Sequence, residues 1–225
     1  MTQPTGPGLA DLRPGDIGFG PIKGGAGLLV GFGQAMLLEG FRVGRLSIRH
    51  VFVVTQAQER TEDRETGTGR IYGPECVEAM PSGARRALIR DRWTPDYAYV
   101  RLPEDYPGQA EDVAAIARAM IGTPYSFASY AALAAWRLGW KTPRLEAWID
   151  RRREAIKLDN PSIGSPSWYR LPCEAICSVL ADQAWSLTGK KIMHGVPHQC
   201  VTPGALAGRL LTMPDTTWMW PECAS

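Results

Sequence analysis

No run in this sequence is long and apolar enough to cross a bilayer. The most apolar stretch, Leu28 to Leu38, is too short and is interrupted by Gly31, Gly33 and Gln34, so it reads as a buried helix. An integral membrane segment is therefore not expected. Charge of one sign is equally scarce: 25 Lys and Arg against 23 Asp and Glu leave a formal +2, which supplies no electrostatic case for nucleic acid as a partner. Met1 to Asp11 lacks a basic segment followed by an apolar run and a small-residue cleavage site. The expectation is cytoplasmic synthesis without a secretory signal, with association to a virion or export by another route left open.

A disulfide framework is missing too. The five cysteines, Cys76, Cys173, Cys177, Cys200 and Cys223, are odd in number and irregular in spacing, so reduced thiols are expected. His194, His198 and Cys200 resemble zinc ligands at first sight. Gly195 and Pro197 argue against a shared helix face, and no fourth ligand is evident, so no metal is expected.

What the sequence does contain is an ordinary globular composition, 225 residues with 44% hydrophobic and 21% charged, ample for one core. One domain spanning 1–225 is expected, with a helical insertion at 139–166. Within it, Arg144 to Lys157 combines a charged face with apolar Leu145, Trp148, Ile149 and Ile156. That is read as a surface helix, with a basic patch for an anionic polymer or membrane surface as the functional alternative.

Val51 to Thr55 reads as a strand, with His50 at its start and on the same side as Phe52 and Val54. A second strand, Glu75 to Met80, follows a polar loop or hairpin tip at Gln56 to Arg70. Met80 to Gly83 turns the chain into a short strand at Ala87 to Ile89. Tyr97 to Leu102 is a further strand, with Tyr97, Tyr99 and Arg101 on one face and Ala98, Val100 and Leu102 on the other. Pro107 to Ile121 is expected as a helix with a buried stripe of Val113, Ile116, Ala117 and Met120, ended by Gly122. Phe127 to Trp136 is expected as another. Near the end, Thr202 and Pro203 start a short helix, and Trp218, Trp220 and Pro221 form a hydrophobic clasp onto the core, with an exposed aromatic contact surface as the alternative. The fold class is α+β, an antiparallel sheet packed against helices.

The chemistry concentrates in three residues. Ile176-Cys177-Ser178 opens a helix whose apolar face is Val179, Leu180, Ala184 and Leu187. Alone, Cys177 would read as a small buried hydrophobe. At a helix start, however, unpaired N–H groups and the macrodipole favour a thiolate, which is the nucleophilic form. His50 can serve such a thiol as general base, and Glu78, a carboxylate flanked by apolar residues, needs a partner that an imidazole N–H on the adjacent strand would supply. Cys173 lies four residues before Cys177 and would share its face on a continuous helix. Cys177 is preferred as nucleophile if the chain from Leu171 to Ala175 arrives extended or as a turn.

Gly15-Asp16-Ile17, the His50 strand, Val77-Glu78-Ala79 followed by Gly83, Gly122-Thr123-Pro124-Tyr125 and Ile176-Cys177-Ser178 together resemble the circularly permuted papain-like thiol hydrolases. That group is related to NlpC-type cell-wall endopeptidases and to the lecithin retinol acyltransferases. The resemblance spans roughly Arg13 to Leu210 and rests on order and spacing. It implies Cys177 as nucleophile, His50 as base, Glu78 as the third, orienting residue and Tyr125 bordering the substrate site. Val179 departs from the pattern, which carries a polar residue there. The implied activity is cofactor-free cleavage of an amide or ester through a thioacyl-enzyme, with a cell-wall peptide or amide bond as substrate. The alternatives are a lipid acyltransferase or lipase acting on lipid esters, and a catalytically degenerate binding or structural module, for example in a phage particle.

Overall fold

Alternation of side chains along extended backbone divides the central sheet into two unlike faces, and the candidate site depends on that division. The computed structural model describes residues 8–22, 42–43, 46–56, 60–61, 71–104, 106, 110–125, 143–144, 176–188, 191–195 and 201–221. Strands β1 (Ile17–Gly20), β4 (His50–Gln56), β7 (Glu75–Met80), β8 (Gly83–Leu88), β9 (Ala98–Arg101) and β10 (Thr217–Met219) form one antiparallel sheet in the order β10-β9-β1-β4-β7-β8. Two short hairpins, β2 (Arg42–Val43) with β3 (Leu46–Ser47) and β5 (Arg60–Thr61) with β6 (Ile71–Tyr72), flank the His50 strand in sequence. The second of them makes the polar stretch before Glu75 a hairpin at its base.

The first face of the sheet is aliphatic. Ile17, Phe19, Val51, Val53, Val77, Ala79, Ala98 and Val100 pack there against helices α1 (Ala110–Ala119), α2 (Cys177–Leu187) and α3 (Pro203–Thr212). The expected stripe Val113, Ile116, Ala117 and Met120 is buried in this core, as are Leu180 and Ala184, with Leu187 packed at its margin. Thr202 caps α3 by accepting from the Ala205 N–H at 3.1 Å, with Pro203 in the first turn. Trp218, inside β10, clasps the core by stacking on Phe19 at 5.8 Å, whereas Trp220 is exposed and stacks on the outside of Trp218. These elements establish the α+β class. Among the described residues no helix is long and apolar enough to cross a membrane.

The second face is aromatic and charged. Phe52, Val54, Cys76, Ile89, Tyr99 and Met219 form its core, edged by Trp93 and Tyr97. The Phe52 and Tyr97 rings lie close over Gly18 and Gly20 of β1, and glycine is what permits it. A Cβ on Gly18 would stand 2.1 Å from Phe52, and one on Gly20 2.1 Å from Tyr97.

One expected strand is corrected. Instead of Ala87 to Ile89, β8 runs from Gly83 to Leu88, and Ile89–Arg92 forms a 3-10 turn, η2, the first such turn, η1, being Leu9–Asp11. Arg85 and Arg86 hide the strand in a hydrophobic reading, because β8 is an edge strand whose charges pair with acids on β7: Arg85 with Glu78 at 3.0 Å and Arg86 with Glu75 at 3.3 Å. The Leu28 to Leu38 and Phe127 to Trp136 helices lie outside the described residues, as does nearly all of the 139–166 segment.

Gly18→Ala should destabilise the fold by about 1–3 kcal/mol, the ordinary range for overpacking a filled core. Urea denaturation checks this, and an unchanged midpoint would show that Phe52 has somewhere else to go.

Candidate active site

The start of α2 is built to present a thiol. Ile176 is extended, with φ −98° and ψ 164°, so the helix begins at Cys177 and places that residue at its first position. Ile176 offers no side-chain acceptor, so the amides of the first turn are not capped from that position. Ser178, the next residue, donates its hydroxyl to the Val201 carbonyl at 2.6 Å, and Asp182 one turn later accepts from the Met193 N–H at 3.0 Å. These two buried bonds fix the helix start against the segment leading into α3. Cys177 itself is 1% exposed and belongs to the helix-side core.

His50 is the first residue of β4 and is 3% exposed. Its Nε2 lies 2.7 Å from Glu78 Oε2. Glu78, 0% exposed, stands directly across from Phe52 on β7 and so shares the second face with His50. The remaining ring nitrogen, Nδ1, is buried without a partner of full hydrogen-bond geometry. Cys177 nonetheless acts on the ring: burial disfavours the imidazolium, but hydrogen bonding and Coulombic attraction from Cys177 and Glu78 outweigh it and raise His50 to about 9. The histidine thus bonds an acid on the second face and is influenced by a thiol that belongs to the helix-side core of the first.

Glu78 is held by more than the histidine. Its Oε1 accepts from Arg85 Nε at 3.0 Å, and Arg92 reaches both oxygens at 2.8 Å. Burial opposes the carboxylate charge, yet the hydrogen bond and charge of His50, together with Arg92 and Arg85, hold Glu78 down at about 2. Neither arginine is apparent as a site residue in the sequence. The signal that could have exposed them is cross-strand: Arg85 lies directly opposite Glu78 in the β7–β8 register.

The other candidates separate. Tyr125 is half-buried and packs against the cluster that contains Cys177. Its segment is anchored to β8, where Gly122 N–H donates to the Ala84 carbonyl and Ala84 N–H to the Thr123 carbonyl, each at 2.8 Å. His194 is exposed, while Cys173, His198 and Cys200 lie outside the described residues. Among the described residues no cluster suited to a metal ion occurs, and Cys76 and Cys177 are free thiols.

These shifts carry a stability signature. His50 binds its proton more tightly folded than unfolded, so this stabilisation is complete below its ordinary 6.5 and is lost as pH rises through about 9. Glu78 has the opposite sign: its contribution is complete above 4.5 and is lost as pH falls through about 2. Thermal unfolding of the wild type and His50→Gln across pH should show a gap that narrows between 6.5 and 9. A gap that stays constant over that window would contradict the assignment. No family model, curated protein or solved structure matches this chain.

Proposed function

We propose that this protein is a cysteine hydrolase of the circularly permuted papain-like kind, cleaving an amide or ester bond through a thioacyl-enzyme intermediate. The observation that carries the reading is the buried His50, bonded through Nε2 to Glu78 at 2.7 Å and acted on by a cysteine at the first position of a helix. Each part has a role that the others make possible. Glu78 fixes the ring and its tautomer, leaving Nδ1 to exchange a proton with sulfur.

In this mechanism Cys177 Sγ attacks the carbonyl carbon and the carbonyl electrons move onto oxygen. First-turn N–H groups of α2 receive the oxyanion, an arrangement favoured by the absence of a capping side chain at Ile176. His50 gives its proton to the leaving amine or alkoxide as the tetrahedral centre collapses to a thioester. Water then attacks with His50 accepting its proton, and Cys177 departs as the thiolate. The proton that His50 delivers is the one it takes from the Cys177 thiol as sulfur attacks. The substrate class proposed is a peptide or amide bond of bacterial cell wall, on the strength of the resemblance alone.

An activated nitrophenyl ester tests the chemistry independently of the natural substrate. A burst of nitrophenol and a single acyl adduct on Cys177 are expected, with no adduct in Cys177→Ala. Cys76, whose thiol burial pushes well above the usual range, should stay unmodified. Iodoacetamide labelling of Cys173→Ser and Cys177→Ser separates the two neighbouring thiols, and labelling that survives Cys177→Ser but vanishes with Cys173→Ser would reverse their roles. Peptidoglycan fragments and phospholipids presented side by side, with products read by mass spectrometry, then distinguish wall hydrolysis from lipid acyl transfer.

Substitution of the other two residues should grade. His50→Ala should lower turnover roughly 100- to 10,000-fold. Glu78→Gln, which can still accept the imidazole N–H, should retain more activity than Glu78→Ala, measured as kcat/KM on the same ester. Equal losses at Glu78 would remove it from the orienting role.

A further inference from the structure

Glu78 is more heavily engaged than an orienting acid requires. An imidazole N–H needs one carboxylate oxygen, yet Arg92 donates to both oxygens at 2.8 Å, including the Oε2 that faces His50. Arg92 is also the better buried of the two arginines, its side chain 15% exposed against 53% for Arg85. Its own placement is restrained from several directions. Nη1 donates to the Leu88 carbonyl at 3.0 Å, the Tyr99 hydroxyl donates to the Arg92 carbonyl at 3.0 Å, and the guanidinium lies 5.9 Å from the centre of the Phe52 ring. Phe52 in turn packs beside the His50 ring at 6.0 Å.

We propose that Arg92 is a positioning residue for His50 that acts through Glu78: by engaging both carboxylate oxygens it limits the hold of Glu78 on the imidazole, so that His50 can give up its proton during turnover. The proposal rests on the cysteine-hydrolase reading for its kinetic consequence but not for its electrostatic one.

The neighbouring titratable groups leave Glu78 as the partner through which Arg92 must act. Cys76 on β7 and Tyr97 and Tyr99 beside η2 are all raised by burial, so they are neutral through the working pH range. The charged groups around the imidazole's acid are then Arg85 from β8 and Arg92 from η2, with Glu78 of β7 bonded to the ring and the Cys177 thiol of α2 also acting on it. Arg85 reaches only Oε1 and is half in solvent, where its field is screened. A carboxylate bonded to His50 without Arg92 would press harder for the imidazolium. That pressure matters most in the thioacyl-enzyme, where sulfur carries no charge and His50 has to accept a proton from water.

The chain's three histidines make the effect directly observable. His50 is assigned in the imidazole C–H NMR spectrum by its absence from His50→Gln, and its titration is followed in resting protein without substrate. In Arg92→Gln the His50 midpoint should move up by about one unit, whereas Arg92→Lys, which keeps the charge, should stay within about half a unit of the wild type. With the nitrophenyl ester, Arg92→Gln should keep its burst and lose up to about tenfold in the steady-state rate, with acyl-enzyme accumulating. An unchanged or lowered His50 midpoint in folded Arg92→Gln overturns the proposal. Should that variant fail to fold, a shift of a full unit in Arg92→Lys overturns it equally, because charge would then not be the cause. If His50 moves as expected but no acyl-enzyme forms even in the wild type, the electrostatic link stands and it is the hydrolase reading that fails.

Discussion

Everything around the site follows from keeping one carboxylate ionised where no water reaches it. Taking a carboxylate out of water costs several kcal/mol even after relaxation, and the cost is offset only by close, well-directed partners. Glu78 has them on every side, with His50, Arg85 and Arg92 between 2.7 and 3.0 Å from its oxygens. Each partner must come from a different element, so the position of Glu78 constrains β4, β8 and η2 together.

The aromatic face supplies the setting in which this balance holds. Phe52 lies against His50, Tyr97 and Tyr99, and Tyr99 packs on Trp93 at 5.0 Å. These rings exclude water from the cluster, which strengthens its charge-assisted bonds. They have room only because β1 crosses beneath them with Gly18 and Gly20. The glycines are therefore as much a part of the electrostatic arrangement as the arginines.

Placing acid and thiol on opposite sides of the sheet has a mechanical consequence. The helix carrying Cys177 packs on the aliphatic face, where Leu180, Ala181 and Ala184 anchor it against the strands. The acid is fixed on the aromatic face by its ion pairs. His50, at the first residue of its strand, is where the two meet. Neither partner can shift without moving a separate core, which holds the arrangement rigid. A bulge in the β4–β7 ladder beyond Val54 lies at the far end of this strand, where Arg118 of α1 donates to the freed Thr55 carbonyl.

Residue type and spacing alone determined a good deal. The period of two in Val51 to Thr55 and in Tyr97 to Leu102 identified strands and their faces, and the period of 3.6 in Val113 to Met120 identified a buried helix stripe. Thr202-Pro203 marked a cap because capping depends on a few adjacent atoms. His50, Cys177 and Glu78 were legible as candidates, since a lone carboxylate among apolar residues and a cysteine at a helix start are unusual in themselves. The start of α2 at Cys177 was expected from Ile176-Cys177-Ser178 but not settled by them, because Cys173 satisfies the same local pattern; the extended backbone at Ile176 puts the helix start at Cys177. Nor could sequence reveal the length of β8, whose arginines look like a solvated turn until their acids appear across the ladder, or the clamp of Arg92 on Glu78 from fourteen residues away. Local patterns report local hydrogen bonding and burial. Ion pairs between elements depend on register and on which face is dry, and those exist only once the sheet has formed.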